Sequence, residues 1–260
     1  MTKFLYANGC SWTAGNGIEY DPSLSNLDLS DRADMWKHVR EHAWPSVLSK
    51  KLGCEQFTND AIGAGSNKRM VRTTCNFIQG CSKEMYGDLV VVLGWTTTDR
   101  DEIYMEEDGK GQWIVFNCTQ AVSEHKPPFS KNYIREVDNF QKRYITHVYN
   151  QRTNFLYFFQ QMFLMSNMLE NLGIKYLFFS SLPWDWTFSS GVDPRKEFPV
   201  QIQNLKKPAI INMVDNKYRT MLDFCVETGV PMAPDHHTMI DGHNKWAEYL
   251  HSKLQDLYQL

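Results

Sequence analysis

Short apolar runs alternating with amphipathic helical stretches constrain this chain more than any other feature. Phe4 to Ala7, Glu55 to Asn59, Leu89 to Leu93 and Ile174 to Phe179 have strand length, and Leu89-Val90-Val91-Val92-Leu93 contains no residue suited to facing water. A strand that is apolar on both faces belongs inside a parallel sheet with helices packed on each side. The intervening segments supply those helices. They are Trp44 to Lys51, which stops at Gly53, and Ser66 to Ile78. Phe155, Phe158, Phe159, Met162, Met165, Leu169 and Leu172 recur at steps of three and four, which places one apolar stripe on a long helix ended by Gly173. That stripe reads as core packing, not as a cofactor site. Further helices are expected over Ile210 to Thr228 and Gly242 to Leu260, with a short segment Val230 to Ala233 between them. The implied architecture is α/β, with a central parallel sheet of about five strands.

With 260 residues the chain suits one large domain. Asn16 to Asp34 is rich in Asp and Ser and reads as a surface loop. Residues 100–149 and 183–207 mix charge, proline and aromatics without a clean period and are expected to be insertions that cap the carboxyl ends of the strands. The 27 Lys and Arg against 30 Asp and Glu give a net charge of −3, so no global positive field recruits nucleic acid or an anionic membrane. No apolar run approaches the roughly 20 residues of a membrane span, and the start lacks the apolar region of a signal peptide. A cytoplasmic location is the expectation. The six cysteines show no Cys-x-x-Cys spacing and are expected to be reduced thiols.

In open parallel sheets, ligands sit outside the carboxyl ends of the strands, and four polar constellations fall there. Gly9-Cys10-Ser11-Trp12-Thr13-Ala14-Gly15 follows the first strand; a serine on such a turn either caps a helix or exposes a nucleophilic hydroxyl beside backbone amides. Asn59 to Arg69 follows the second strand, and its Gly63 and Gly65 allow close backbone approach. It lacks the third glycine of a dinucleotide fingerprint, and Lys68 is not placed as in a Walker loop. Gly94-Trp95-Thr96-Thr97-Thr98-Asp99-Arg100 follows the third strand. Pro234-Asp235-His236-His237-Thr238 and Asp241-Gly242-His243 precede the last helix and offer imidazoles beside carboxylates. A metal site built from these histidines is disfavoured because neighbouring histidines point apart and no other ligand pattern supports it.

The order of these blocks resembles the SGNH/GDSL hydrolase superfamily, in a Gly-Cys-Ser form similar to bacterial and phage-encoded members. The closing block carries most of the likeness: Asp235, His237, Gly242, His243, Trp246 and Ala247, with Thr238 where that family usually has proline. The resemblance implies a flavodoxin-like three-layer sandwich and a serine esterase needing no cofactor or metal, with Ser11 as nucleophile, His237 as base and Asp235 as the orienting acid. His236 is the alternative base, and Asp235 lies two residues before His237 where three is commoner. The implied oxyanion hole draws on the Ser11 amide, the amide of Ala64 or Gly65, and an Asn side chain. Thr96 stands where that Asn is expected, which leaves Asn67 or Thr97 as replacements. Trp95 and Arg100 join the expected substrate contacts, and Trp12, Trp95, Trp184 and Trp186 are candidate surfaces for a sugar ring. The expected partner is a small or carbohydrate ester. The alternatives are an O-acetyltransferase using the same pair and a weakly catalytic binding or virion protein.

Overall fold

The computed structural model describes residues 2–24, 32–107, 110–117, 131–183, 194–211 and 220–260. Its first half runs β1 (Phe4–Gly9), α1 (Ser11–Ala14), α2 (Arg32–His42), α3 (Trp44–Lys51), β2 (Gln56–Asn59), α4 (Asn67–Gly80) and β3 (Leu89–Trp95). The antiparallel pair β4 (Arg100–Glu107) and β5 (Lys110–Asn117) follows, then α5 (Lys131–His147), α6 (Gln151–Asn171) and β6 (Lys175–Ser180). Two short helices, α7 (Pro194–Glu197) and α8 (Pro199–Asn204), precede α9 (Met221–Glu227) and α10 (Ile240–Tyr258).

The central sheet is parallel, in the order β2-β1-β3-β6. A fifth segment extends it, because Phe178 donates to Ala209 and Ile211 donates to Phe178, a parallel bridge on the free edge of β6. The expected sheet of about five strands is therefore four full strands and one bridge, in the doubly wound order. All seven residues of β3 are buried. Alternation along β1 and β3 sends Tyr6, Val91 and Leu93 into one core with α4 and α6, and Leu5, Ala7, Val90 and Val92 into a second core with α3, α9 and α10. The stripe on α6 packs as its spacing predicts, with Phe155, Phe158, Phe159, Met162, Met165 and Leu169 all in the first core.

Two expectations need correction. Within Asn16 to Asp34, of which residues 25–31 lie outside the described residues, the chain is not simply a surface loop: Ile18 and Leu24 are buried against Val39 and Ala43 of α2 and its flank, a helix the sequence reading missed. The described helix within Ile210 to Thr228 is only α9, while residues 212–219 of that expectation lie outside the described residues. The short segment Val230 to Ala233 lies between α9 and α10 as expected, and Met232 makes a single antiparallel bridge to Thr238. The described part of residues 100–149 holds the antiparallel pair β4 and β5 and helix α5, with β4 tied to α4 by Lys68–Asp101 at 2.7 Å and a two-bond Arg72–Glu102 pair at 2.8 Å; residues 108–109 and 118–130 lie outside the described residues. The five described cysteines are free thiols, and among the described residues no helix is long and apolar enough to cross a membrane.

Candidate active site

The register Gly9↔Gly94 puts the ends of β1 and β3 side by side. Glycine is required there because a Cβ on Gly9 would fall 2.8 Å from the Gly94 carbonyl, and one on Gly65 would fall 2.8 Å from the Gly9 carbonyl. Three turns thus meet at backbone contact distance, and the first carries Ser11. Its α1 turn is held from the second: Asn59 Nδ2 donates to the Thr13 carbonyl at 3.0 Å.

The last block closes on this turn from the far end of the sequence. His237 Nε2 lies 2.7 Å from Ser11 Oγ, and His237 Nδ1 lies 3.0 Å from Asp235 Oδ2. The Asp235 contact has ion-pair distance without the alignment of a hydrogen bond; the other carboxylate oxygen accepts the His237 amide at 3.2 Å. The Asp235 side chain is 34% exposed, so solvent weakens its hold on the ring. His236 is exposed and in the left-handed region (φ +65°), turned away from Ser11, so the structure brings His237 and not His236 to the hydroxyl.

Neighbours that sequence reading missed seat the imidazole. Trp12 packs on it, with ring centroids 5.5 Å apart. Gly17 (φ +97°) lies so close that a Cβ would come within 2.6 Å of His237 Cβ; the Asn16-Gly17 turn dipeptide was the available signal. Gly242 has a similar constraint, since the Thr238 side chain occupies the place its Cβ would take. His243 is fully buried, accepts the Trp44 amide on Nδ1 at 3.2 Å and faces the Asn16 backbone; burial, and next the charge of His237, push its pKa down to about 3.

The expected oxyanion donors divide. The amides of Ser11 and Ala64 bond to no acceptor among the described residues, whereas the Gly65 amide is engaged by the Ile62 carbonyl at 3.1 Å. Ala64 has φ +57°, a strained conformation for a residue with a Cβ and one that clusters at functional sites. Asn67 is corrected from donor to brace: its Nδ2 bonds the carbonyls of Thr96 and Thr97, and its Oδ1 accepts the Thr96 amide at 3.0 Å. Thr96 is buried, with its hydroxyl unpartnered among the described residues. Trp95 is fully buried, edge-on to Phe158 and Phe178, and Trp12 is buried as well; neither offers a surface to a sugar. Trp184 and Trp186 lie outside the described residues. Arg100 borders a small polar pocket with Asn67, Lys68 and Asn154. Among the described residues no group of three or more His, Cys, Asp or Glu is placed to hold a metal ion.

Three solved structures similar to this chain are a carbohydrate esterase whose active site displays divergent catalytic and non-catalytic binding functions (12% identity, 97% of this chain and 68% of that one, TM-score 0.46), a member of the lipolytic protein G-D-S-L family from Veillonella parvula DSM 2008 (10%, 99% and 99%, 0.47) and TesA (12%, 98% and 99%, 0.47). No curated protein matches the sequence. A family model matches residues 24–260, a span that begins after the Ser11 turn and includes Asp235 and His237. On that match the chain belongs to the family of unknown function DUF6071.

Proposed function

We propose that the protein is a serine-dependent ester hydrolase acting on O-acylated carbohydrates or similar small esters, with Ser11 as nucleophile, His237 as general base and acid, and Asp235 as the partner that orients the ring. The observation that carries this reading is the 2.7 Å contact between Ser11 Oγ and His237 Nε2, made by residues 226 positions apart. A buried hydroxyl with an imidazole at hydrogen-bond distance, and a carboxylate behind that imidazole, is the arrangement that activates a serine.

With the imidazole proton on Nδ1, toward Asp235, Nε2 is left to accept the serine proton. Oγ attacks the ester carbonyl as that proton moves to His237. The developing oxyanion is met by the amides of Ser11 and Ala64, which bond to no acceptor among the described residues. The carbonyl–oxygen bond to the alcohol then breaks, and His237 returns the proton to the departing alcohol. Water repeats the sequence on the acyl-enzyme, releasing the carboxylic acid and restoring Ser11.

The test is product partition. With an acetylated xyloside and an excess of the unacetylated sugar, one free acetate is expected per ester lost, with no acetyl on the added acceptor. Transfer to the acceptor would make the protein an acetyltransferase, and failure to release any acetate from this ester or from an aryl acetate would overturn the hydrolase reading.

A further inference from the structure

The two amides that meet the oxyanion sit on different turns. That of Ser11 belongs to α1, a single helical turn of four residues, and that of Ala64 to the loop 60–65 that follows β2. Both must point at one oxygen, which requires their spacing to be held within about 0.5 Å. Neither turn fixes the other through its backbone. The bonds of α1 close on themselves, from the amides of Thr13, Ala14, Gly15 and Asn16 to the carbonyls of Cys10 and Ser11, and the Gly65 amide returns to the Ile62 carbonyl inside the loop. Cys10, at the N-cap of α1, gives no side-chain bond, and one helical turn is marginal on its own.

Among the described residues, the one hydrogen bond between residues 10–16 and residues 59–65 comes from Asn59, the last residue of β2: its Nδ2 donates to the Thr13 carbonyl at 3.0 Å. The other end of the same carboxamide, Oδ1, accepts the Ala61 amide at 3.1 Å. One partner is a carbonyl and the other an N–H, so the pair fixes which way the carboxamide faces. Asn59 is itself mounted on rigid elements. It pairs with Ala7 in the register of β1 and β2, the Asp60 amide bonds the Ala7 carbonyl at 3.0 Å, and Arg69 of α4 donates to the Asp60 carbonyl at 2.7 Å. The Asp60 carboxylate accepts the Tyr6 hydroxyl at 3.0 Å. Downstream, Ala64 is held at φ +57°, a conformation that persists only when its surroundings impose it.

Resting on the hydrolase reading, we propose that Asn59 is a positioning residue whose carboxamide sets the Ser11 amide against the Ala64 amide, so that both meet the oxyanion. It touches neither the substrate nor the reacting atoms. The alignment acts when charge develops on the ester oxygen and hardly on the neutral ester, so its loss falls on kcat and not on KM.

Asn59→Ala and Asn59→Asp test this with an aryl acetate as substrate and phenylboronic acid as inhibitor, each rate divided by the fraction of chains that a fluorophosphonate labels at completion. Boron takes an electron pair from Ser11 Oγ, whose proton passes to His237, and the tetrahedral adduct places an oxygen where the oxyanion forms. In Asn59→Ala, kcat is expected to fall on the order of 10²-fold with KM within about threefold of wild type. Boronate affinity is expected to fall about tenfold or more. Asn59→Asp keeps an acceptor for Ala61 but turns a carboxylate oxygen on the Thr13 carbonyl, and is expected to be no better than alanine. A merely structural residue would lower the folded fraction and leave kcat per labelled chain unchanged. If kcat and boronate affinity in Asn59→Ala stay within about twofold of wild type, or if aspartate restores them, the proposal is overturned. A wild type that hydrolyses no ester yet binds the boronate in an Asn59-dependent way would overturn the hydrolase reading and leave the positioning role. A wild type without turnover, whose boronate binding is absent or indifferent to Asn59, would overturn both.

Discussion

Replacing Ser11 or His237 by alanine is expected to lower kcat toward a small aryl acetate on the order of 10⁶-fold, with each single variant about as damaged as the double variant. Nucleophile and base act as one unit, so removing either leaves the other with nothing to do. Asp235→Asn is expected to cost far less, on the order of 10²-fold, below the 10⁴ typical of a buried triad acid. The reason is on the structure: the Asp235 side chain is 34% exposed, and its 3.0 Å contact with His237 lacks hydrogen-bond alignment. Trp12 and Gly17 hold the ring and its backbone independently of that carboxylate. Stopped assays on the purified variants check the ranking; a loss at Asp235 equal to that at His237 would mean that the carboxylate alone fixes the base.

Acid is expected to destabilise the protein in part through His243. In the folded chain its pKa is pushed down to about 3 by burial and, second, by the charge of His237. The Trp44 amide already donates to Nδ1, so a second proton on the ring has no acceptor there. In an unfolded chain the same imidazole titrates near ~6.5. Above that value neither state binds the proton, and this group adds no pH dependence. As pH falls from ~6.5 toward ~3 the unfolded chain takes up a proton that the folded one refuses, and stability drops by about 1.4 kcal/mol per pH unit, roughly 5 kcal/mol in all. Denaturant titrations across that window are expected to show the slope in the wild type and to lose this component in His243→Gln, whose amide offers an acceptor and a donor without titrating. Parallel curves for the two proteins would show that His243 titrates alike in both states.

The elements most legible in the sequence are those whose burial is uniform. The valine run of β3 declares a strand covered on both faces, and the Phe and Met stripe of α6 declares which face is inward, because both signals are periodic and local. Ser11 and His237 were legible for a different reason: each stands in a short block at the end of an element, and the resemblance linked blocks that periodicity cannot link. Helix α2 was missed because its residues are mostly polar and it follows a loop-like run of Asp and Ser. Its apolar anchors, Ile18 and Val39, are too far apart in sequence to show a period. The role of Asn67 could not be read, since an amide that braces two carbonyls and one that waits for a ligand have the same sequence signature. Trp95 shows the same limit: a tryptophan in a polar turn at a strand end reads as core more readily than as platform, and the packing of Phe158 and Phe178 around it decides for core.

The central claim is that Ser11 is activated by His237, and reaction with a serine-directed fluorophosphonate, followed by mass mapping of the labelled peptide, tests it most directly. One adduct per chain is expected, on the peptide carrying Ser11, absent from Ser11→Ala and at least a hundredfold slower to form in His237→Ala. An adduct on another residue, or labelling of Ser11 at the same rate with and without the imidazole, would contradict it.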